Sequence, residues 1–216
     1  MPLAAVARPL AIGVACGQIA GMTANFPRFR VTICGIPELD EHSAAGVTHI
    51  LSILDPDWPD PPIFAAFPPH RRLALRFHDI IEPTPERLAP SREDVERLLA
   101  FGHELGAQAG NHLLVHCHAG VSRSTASAAL ILAQAHPDRS AAEVLDAVAQ
   151  LRPRAWPNLR ILEFGDALLG RNGEIIAAAG AIYRRVLDRE PSMQEAMTDG
   201  GRAREVIAGL DWRRAS

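Results

Sequence analysis

Short apolar segments alternate with amphipathic segments along most of this chain. Four runs are rich in β-branched and aliphatic residues and have the length of buried strands: VTICGI at 31–36, THILSILD at 48–55, RLALRF at 72–77 and HLLVHC at 112–117. The sequence between the second and third runs, residues 55–69, is rich in proline and aspartate. It predicts an irregular surface loop.

Helical periodicity fills most of the remaining sequence. Ser91 with Asp94, and Ser140 with Glu143, are capping-box patterns at the starts of two amphipathic segments. The residues that follow Arg123 are small and aliphatic, which is typical of a buried helix. Helices are therefore predicted over residues 39–47, 91–109, 123–134, 140–152, 157–169 and 173–189, with a last helical stretch from Ser192 that is broken at Gly200 and Gly201.

Strands that alternate with helices predict an α/β fold with a small, largely parallel central sheet of four to five strands. Helices flank this sheet, and extra helices follow at the C-terminus. We expect one domain over residues 30–170, a helical extension packed on it over 171–216, and a disordered tail or a mis-assigned start over 1–29. Ligands of such sheets bind beyond the carboxyl ends of strands, which is where both Asp79 and Cys117 fall.

Composition and charge exclude several functional classes. There are 22 basic and 25 acidic residues, so a net charge of −3 offers no general attraction to nucleic acid or to a membrane surface. Every basic residue is arginine, which excludes a Schiff-base lysine and the lysine-dependent phosphate loop of nucleotide hydrolases. A sequence rich in Ala and Arg but without Lys favours a GC-rich, bacterial genome. No apolar run approaches the ~18 residues that a membrane span requires.

The cysteines point to a reducing compartment and not to a disulfide framework. Cys16, Cys34 and Cys117 are odd in number and far apart, which favours the cytoplasm. Cys34 lies within an apolar strand and is interpreted as a small buried hydrophobe. His116 and His118 flank Cys117, but neighbours along a strand or tight turn point apart. Because no second ligand pair stands at zinc spacing, we predict no metal.

The sequence HCHAGVSRS from His116 combines several features that stabilise an anion. Five residues separate Cys117 from Arg123, and their backbone N–H groups can converge in a turn that binds an oxyanion. A helix that begins at Arg123 directs its positive dipole end at the same turn, and Gly120 permits the closed backbone. The guanidinium can fork two hydrogen bonds onto the anion. The same field stabilises a thiolate, so Cys117 is predicted to be a nucleophile at neutral pH.

Such a loop suits phosphoryl transfer without a metal or other cofactor, because it supplies donors for three equatorial oxygens and an in-line nucleophile. The pattern H-C-x5-R-S, with glycine third among the five, resembles the signature of cysteine-dependent protein tyrosine phosphatases in their dual-specificity-like branch. LRPRAWPN at residues 151–158 resembles the R-P-x-x-x-P-N segment of the same enzymes. The resemblance extends from about residue 31 to 170, and the likeness is closest to a bacterial group of predicted tyrosine phosphatases.

The resemblance implies hydrolysis of phosphomonoesters through a phosphocysteine on Cys117, with Arg123 binding the phosphate. It also implies an aspartate on a mobile loop after a strand, which acts as general acid and then as general base. Our candidate is Asp79 in RFHDIIEP, 38 residues before the cysteine. The other candidates for this acid are Glu82, Asp55 and Asp57.

We expect Ser124 to donate a hydrogen bond to the cysteine sulfur, and His116 to orient the loop. The substrate phosphate is expected to contact the variable loop residues His118, Ala119, Gly120, Val121 and Ser122. No fixed cation stands among them, which favours phosphotyrosine or phosphoserine/threonine peptides over polyanionic inositol phosphates. Trp58 is a candidate to line a substrate groove. The alternative functions are a non-catalytic phosphate-binding module, a rhodanese-like sulfurtransferase and an arsenate reductase.

Overall fold

A computed structural model describes residues 29–105 and 110–212 of the chain. Its strands are β1 (Arg30–Gly35), β2 (His49–Leu54), β3 (Arg71–Arg76) and β4 (His112–Cys117). Its α-helices are α1 (Arg92–Leu105), α2 (Arg123–Ala135), α3 (Ala141–Leu151), α4 (Leu159–Leu169), α5 (Glu174–Arg189), α6 (Met193–Asp199) and α7 (Ala203–Asp211). Two 3₁₀ helices, Ile36–His42 and Pro62–Ala66, lie in the connections that follow β1 and β2.

The strands form one sheet in the order β1-β4-β2-β3, and every pairing is parallel. β4 and β2 are central strands whose residues are all buried, as expected for a parallel sheet covered on both faces. This architecture confirms the predicted fold class. The carboxyl ends of all four strands meet at one edge of the sheet, where β4 ends at Cys117 and β3 ends three residues before Asp79.

The predicted helix starts are confirmed by their cap hydrogen bonds. Ser140 Oγ accepts from the amide of Glu143 at 3.2 Å, and the Glu143 carboxylate accepts from the amide of Ser140 at 3.0 Å. The Ser91 and Asp94 pair forms the same two bonds at the start of α1. Gly170 ends α4 with φ +64, a left-handed conformation that favours glycine. The predicted end of α1 at residue 109 lies outside the described residues.

Two predictions about connections are wrong in detail. The short helix predicted over residues 39–47 is a 3₁₀ helix with earlier bounds, Ile36–His42. Pro37 is in its first turn, and the Glu38 carboxylate accepts from the amide of Gly35 at 2.6 Å. Residues 55–69 are not wholly irregular, because Pro62–Ala66 is helical. Phe64 and Phe67 in this connection are buried against one face of the sheet. Burial of these two side chains therefore orders a segment whose proline content predicted an irregular surface loop.

The hydrophobic core continues through the last described helices. α5 packs against α3, α4 and α7, and the buried Tyr183 ring lies 4.8 Å from the Trp156 ring, centroid to centroid. α5 and α7 approach closely where glycines face the partner helix. A Cβ atom at Gly180 would lie 2.9 Å from the carbonyl oxygen of Ala208, and one at Gly209 would lie 2.8 Å from the Tyr183 Cβ atom. The core therefore crosses the predicted domain boundary at residue 170.

Across residues 29–105 and 110–212, no helix combines the length and the apolar composition that crossing a lipid bilayer requires.

Candidate active site

The turn between β4 and α2, residues 117–123, carries the residues predicted to bind phosphate, and we call it the Cys-Arg loop. Gly120 in this loop has φ +70. A Cβ atom at this position would lie 2.5 Å from the carbonyl carbon of Cys34, so the loop can close against the end of β1 only with a glycine here. The amide of Ile36 donates to the carbonyl oxygen of His118 at 3.0 Å and holds the same contact.

Arg152 binds the outer side of the Cys-Arg loop. Its Nη2 donates to the carbonyl oxygen of Ala119 and its Nε to that of Gly120, each at 3.1 Å. Its Nη1 donates to both carboxylate oxygens of Glu38, at 2.8 and 3.0 Å. Because a trans peptide places its N–H opposite its C=O, the amides of Gly120 and Val121 point away from Arg152.

The segment 156–158 fixes the second half of the loop in the same way. The amide of Trp156 donates to the carbonyl oxygen of Val121 at 2.9 Å, and the amide of Asn158 donates to that of Ser122 at 3.4 Å. The N–H groups of Ser122 and Arg123 therefore also point away from these contacts. Successive carbonyls are bound on the outside of the turn, which leaves their amides for its interior, as an anion-binding nest requires.

Cys117 lies at the start of this turn and is 2% exposed. Its Sγ lies 3.3 Å from Ser124 Oγ, the partner predicted for it. His116 points to the neighbouring strand, where its Nε2 lies 2.7 Å from Ser52 Oγ, and its Nδ1 lies 3.4 Å from the Cys117 carbonyl oxygen. Burial lowers the pKa of His116 to about 4, so the ring is neutral at pH 7. These contacts link β2, β4 and the backbone of the cysteine.

Arg123 is buried at the other end of the loop, where two acceptors hold its guanidinium. Its Nη1 donates at 2.6 Å both to Asp55 Oδ1 and to the carbonyl oxygen of Phe77. Its Nε is buried and has no hydrogen-bond partner among the described residues. A buried donor without a partner is costly, and an oxyanion in the loop is the kind of ligand that would satisfy it.

Asp55 follows β2 and has a side chain that is 37% exposed. Its amide donates to His118 Nε2 at 3.2 Å, and its Oδ1 lies 3.6 Å from the same nitrogen. Burial and the charge of Arg123 lower the pKa of His118. The Trp58 ring meets the His118 ring edge to face at 4.5 Å and is 45% exposed. Asp60, which forms ion pairs with two arginines of β3, anchors this connection to the sheet.

Asp79 lies at the Ser122 end of the loop. Its Oδ1 accepts from Ser122 Oγ at 2.8 Å and from Asn158 Nδ2 at 2.9 Å, and it lies 3.4 Å from Arg202 Nη1. Desolvation raises the pKa of this carboxyl, but the charges of Arg202 and Arg123 and the two hydrogen bonds outweigh it and hold the pKa below its usual range. The carboxylate is therefore ionised in the free protein.

Two of the four candidate acids thus reach the Cys-Arg loop, Asp79 at Ser122 and Asp55 at Arg123. Glu82 instead forms an ion pair with Arg204 on α7 and is 52% exposed, and Asp57 is exposed on the connection after β2.

Three residues of this site were not singled out from the sequence: Arg152, Asn158 and Arg202. The first two belong to LRPRAWPN, so that segment carried a signal for them. Arg202 is 80 residues from Ser122, and no local pattern marks it. Among the described residues, no group of three or more His, Cys, Asp or Glu side chains is placed to hold a metal ion.

Solved structures of phosphatases are similar to this fold. Tk-PTP in its active form has 20% sequence identity and a TM-score of 0.49, and the alignment covers 71% of this chain and 99% of that chain. Human DUSP28 has 20% identity and a TM-score of 0.49, covering 65% and 94% of the two chains. DUSP15 has 24% identity and a TM-score of 0.48, covering 76% and 95%.

No protein-family model matches the sequence, and a search of curated proteins finds no match.

Proposed function

We propose that this protein hydrolyses phosphomonoesters through a phosphocysteine intermediate on Cys117. The observation that carries the proposal is the Cys-Arg loop itself. Its carbonyls at residues 119–122 are bound outward, its amides are left for the interior, and the thiol and the Arg123 guanidinium stand at its two ends. Such a nest, at the start of α2, suits a tetrahedral dianion held beside a thiolate.

In the first step the Cys117 sulfur attacks phosphorus, and the bond from phosphorus to the ester oxygen breaks. The loop amides and Arg123 stabilise the charge on the three equatorial oxygens. Asp79 protonates the leaving oxygen. A bound dianion offsets the charge of Arg123 and so favours the protonated carboxyl that this step needs.

In the second step Asp79 takes a proton from water, the water oxygen attacks phosphorus, and the bond from sulfur to phosphorus breaks. Ser124 supports the departing thiolate with its hydroxyl, which lies 3.3 Å from the sulfur. The products are an alcohol or phenol and inorganic phosphate, and the proposed reaction uses no cofactor.

As substrate we propose phosphotyrosine in proteins, with phosphoserine and phosphothreonine as further substrates of a dual-specificity type. Asp55 beside the loop, and the exposed Asp57 on the same connection, disfavour substrates with several phosphates. The exposed Trp58 ring beside His118 offers an aromatic surface to a substrate ring. We also propose the cytoplasm of a bacterium as the setting, since the nucleophile must stay reduced and both described cysteines are free thiols.

Arsenate reduction would need a second thiol that can reach the first. Cys34 is 1% exposed, and burial raises the pKa of its thiol, so it is poorly suited to form a thiolate. This disfavours the reductase among the alternative functions.

The proposal is tested by hydrolysis of p-nitrophenyl phosphate in the presence of a metal chelator. We expect turnover by the wild type and none by Cys117→Ser, which should still bind vanadate because the loop amides and Arg123 are retained. Undiminished hydrolysis by Cys117→Ser, or dependence of the wild type on a metal, would contradict the mechanism. Transfer of sulfur from thiosulfate to cyanide in place of ester hydrolysis would support the sulfurtransferase.

A further inference from the structure

Arg202 precedes α7, far along the chain from the Cys-Arg loop, and its side chain is buried at that loop. The residue is 7% exposed. Its amide donates to the carbonyl oxygen of Met197 at 2.8 Å, which closes the turn between α6 and α7. The backbone at this position is therefore fixed by the two C-terminal helices, and the guanidinium extends from them to the sheet edge.

The guanidinium contacts two groups of the site. Its Nη2 donates to Ser122 Oγ at 2.9 Å, and its Nη1 lies 3.4 Å from Asp79 Oδ1. Ser122 Oγ in turn donates to the same carboxylate oxygen at 2.8 Å. Guanidinium, hydroxyl and carboxylate thus contact one another at the end of the loop that precedes Arg123.

Glu205 holds the guanidinium from the opposite side. Its carboxylate is 0% exposed and accepts from Nε and Nη2 of Arg202, each at 2.7 Å. It also accepts from the Trp156 indole at 2.5 Å and from the amide of Leu159 at 2.9 Å. A buried charge is stable only when it is paired and hydrogen-bonded, and Glu205 meets this condition through both α4 and Arg202.

We propose that Arg202 is a positioning residue through which the C-terminal helices hold the Asp79 carboxylate against Ser122 of the Cys-Arg loop. The catalytic role of Asp79 in this proposal rests on the proposed function. The position of its carboxylate against Ser122 does not. Removal of Arg202 would leave the buried Glu205 and the half-buried Asp79 without their shared cation, and Asp79 would then lose both orientation and charge stabilisation.

The sign of the effect on titration follows from the groups that face Asp79. Those that favour its ionised form are Arg202, Arg123, Asn158 and Ser122, and the neighbouring titratable groups are His118, Glu205 and Tyr183. Loss of an adjacent guanidinium raises a carboxyl pKa by about one unit or more. The pH above which Asp79 ceases to be an acid should therefore rise.

The test uses the full chain with the double substitution Arg202→Gln and Glu205→Gln, which removes one charge of each sign. Arg204→Gln is the matched control, because Arg204 is two residues away at the start of α7 but pairs with Glu82 and Glu163. The measurement is the ¹³C NMR titration of the Asp79 carboxyl, assigned by its loss in Asp79→Asn. A second measurement is the pH profile of kcat/KM for p-nitrophenyl phosphate.

We expect the double variant to raise the Asp79 midpoint, and the basic limb of kcat/KM, by about one pH unit or more. The control should move neither. An unchanged midpoint in the folded double variant would overturn the proposal. If no form of the protein hydrolyses the ester, the proposed function fails, and the NMR titration still decides whether Arg202 holds Asp79.

If the double variant does not fold, the wild type and Asp79→Asn decide the matter. The ¹⁵N resonances of the Arg202 guanidinium should shift with pH at the Asp79 midpoint in the wild type and should not do so in Asp79→Asn. Resonances that do not respond in the wild type would overturn the proposal.

Discussion

At the scale of single residues, two carboxylates meet the Cys-Arg loop in different surroundings. Asp79 accepts hydrogen bonds from Ser122 and Asn158 and lies beside a buried guanidinium, whereas Asp55 pairs directly with Arg123. A general acid must lie near the leaving oxygen, while a carboxylate bound to Arg123 competes with the phosphate itself. Loss of the Asp79 charge should therefore lower kcat, whereas loss of the Asp55 charge should strengthen the binding of phosphate.

For Asp79→Asn we expect kcat for p-nitrophenyl phosphate to fall by ~10²-fold, with loss of the basic limb of the pH profile, because the leaving oxygen then lacks its proton donor. Steady-state kinetics measure both effects. The pH range is 5 to about 8, which surrounds the pH at which such an acid works. Glu82→Gln is the control and should keep the wild-type profile. If Asp55→Asn shows this loss and Asp79→Asn does not, Asp55 is the acid.

For Asp55→Asn we expect tighter binding of inorganic phosphate, because a carboxylate no longer competes for Arg123 Nη1. A partly exposed ion pair contributes up to about 1 kcal/mol, which corresponds to ~5-fold in the inhibition constant of phosphate. Asp57→Asn removes a neighbouring exposed charge and should change the constant less. Weaker phosphate binding by Asp55→Asn would show that the carboxylate orients Arg123 and does not compete.

The residues of the Cys-Arg loop could be predicted from the sequence, whereas the contact of Arg202 with the loop could not. Cys117, Gly120 and Ser124 lie within one turn, so their geometry follows from a local motif and is visible in the sequence. Asp79 precedes the Cys-Arg loop in the sequence and Arg202 follows it, so their contact joins residues that are far apart along the chain. This contact depends on the packing of α7, which hydrophobic periodicity does not specify.

At the scale of helices and strands, the close packing of α5 against α7 is what brings Arg202 to the sheet edge. Hydrophobic periodicity predicted both helices, but a glycine within a helix lowers its intrinsic helix propensity and so argues against the prediction. Here Gly180 and Gly209 lie where the backbones approach, so they mark a contact. Apolar runs predicted β1, β2 and β4, and the alternating sequence RLALRF predicted β3. The alternation of strands with helices predicted a largely parallel sheet, but the order of its strands was not predicted.

We expect Gly209→Ala to destabilise the fold by about 1 to 3 kcal/mol, although alanine is the better helix former, because the new methyl group collides with Tyr183 Cβ. Urea unfolding measures the difference. Ile207→Ala on the exposed face of α7 is the control and should stay within about 0.5 kcal/mol of wild type. A Gly209→Ala protein as stable as the wild type would mean that α7 does not pack as closely as described.

At the scale of the whole molecule, several buried or half-buried histidines make stability depend on pH. Desolvation is the largest cause that lowers the pKa of His49, His112, His116 and His118. The unfolded chain, whose histidines titrate near ~6.5, then binds more protons than the folded chain. Stability therefore falls as the pH falls below that value. Asp79 has a lowered pKa, so its contribution is lost only at a more acidic pH.

His116 should account for about 1 to 2 kcal/mol of the stability lost between pH 6.5 and pH 5, since its pKa is lowered to about 4. Urea unfolding of His116→Gln should show a smaller loss over that range, because glutamine does not titrate. His103→Gln, on the exposed side of α1, is the control. A His116→Gln protein with the full wild-type dependence on pH would contradict this account of the buried ring.

In the reaction that we propose, Cys117 carries the phosphoryl group during turnover. Rapid acid quench of the wild type with p-nitrophenyl phosphate, followed by mass spectrometry of its peptides, tests this most directly. We expect one phosphoryl group on the peptide that contains Cys117, bound to sulfur, and none in Cys117→Ser. A phosphoryl group on another residue, or turnover with no phosphorylated peptide at any quench time, would contradict the account.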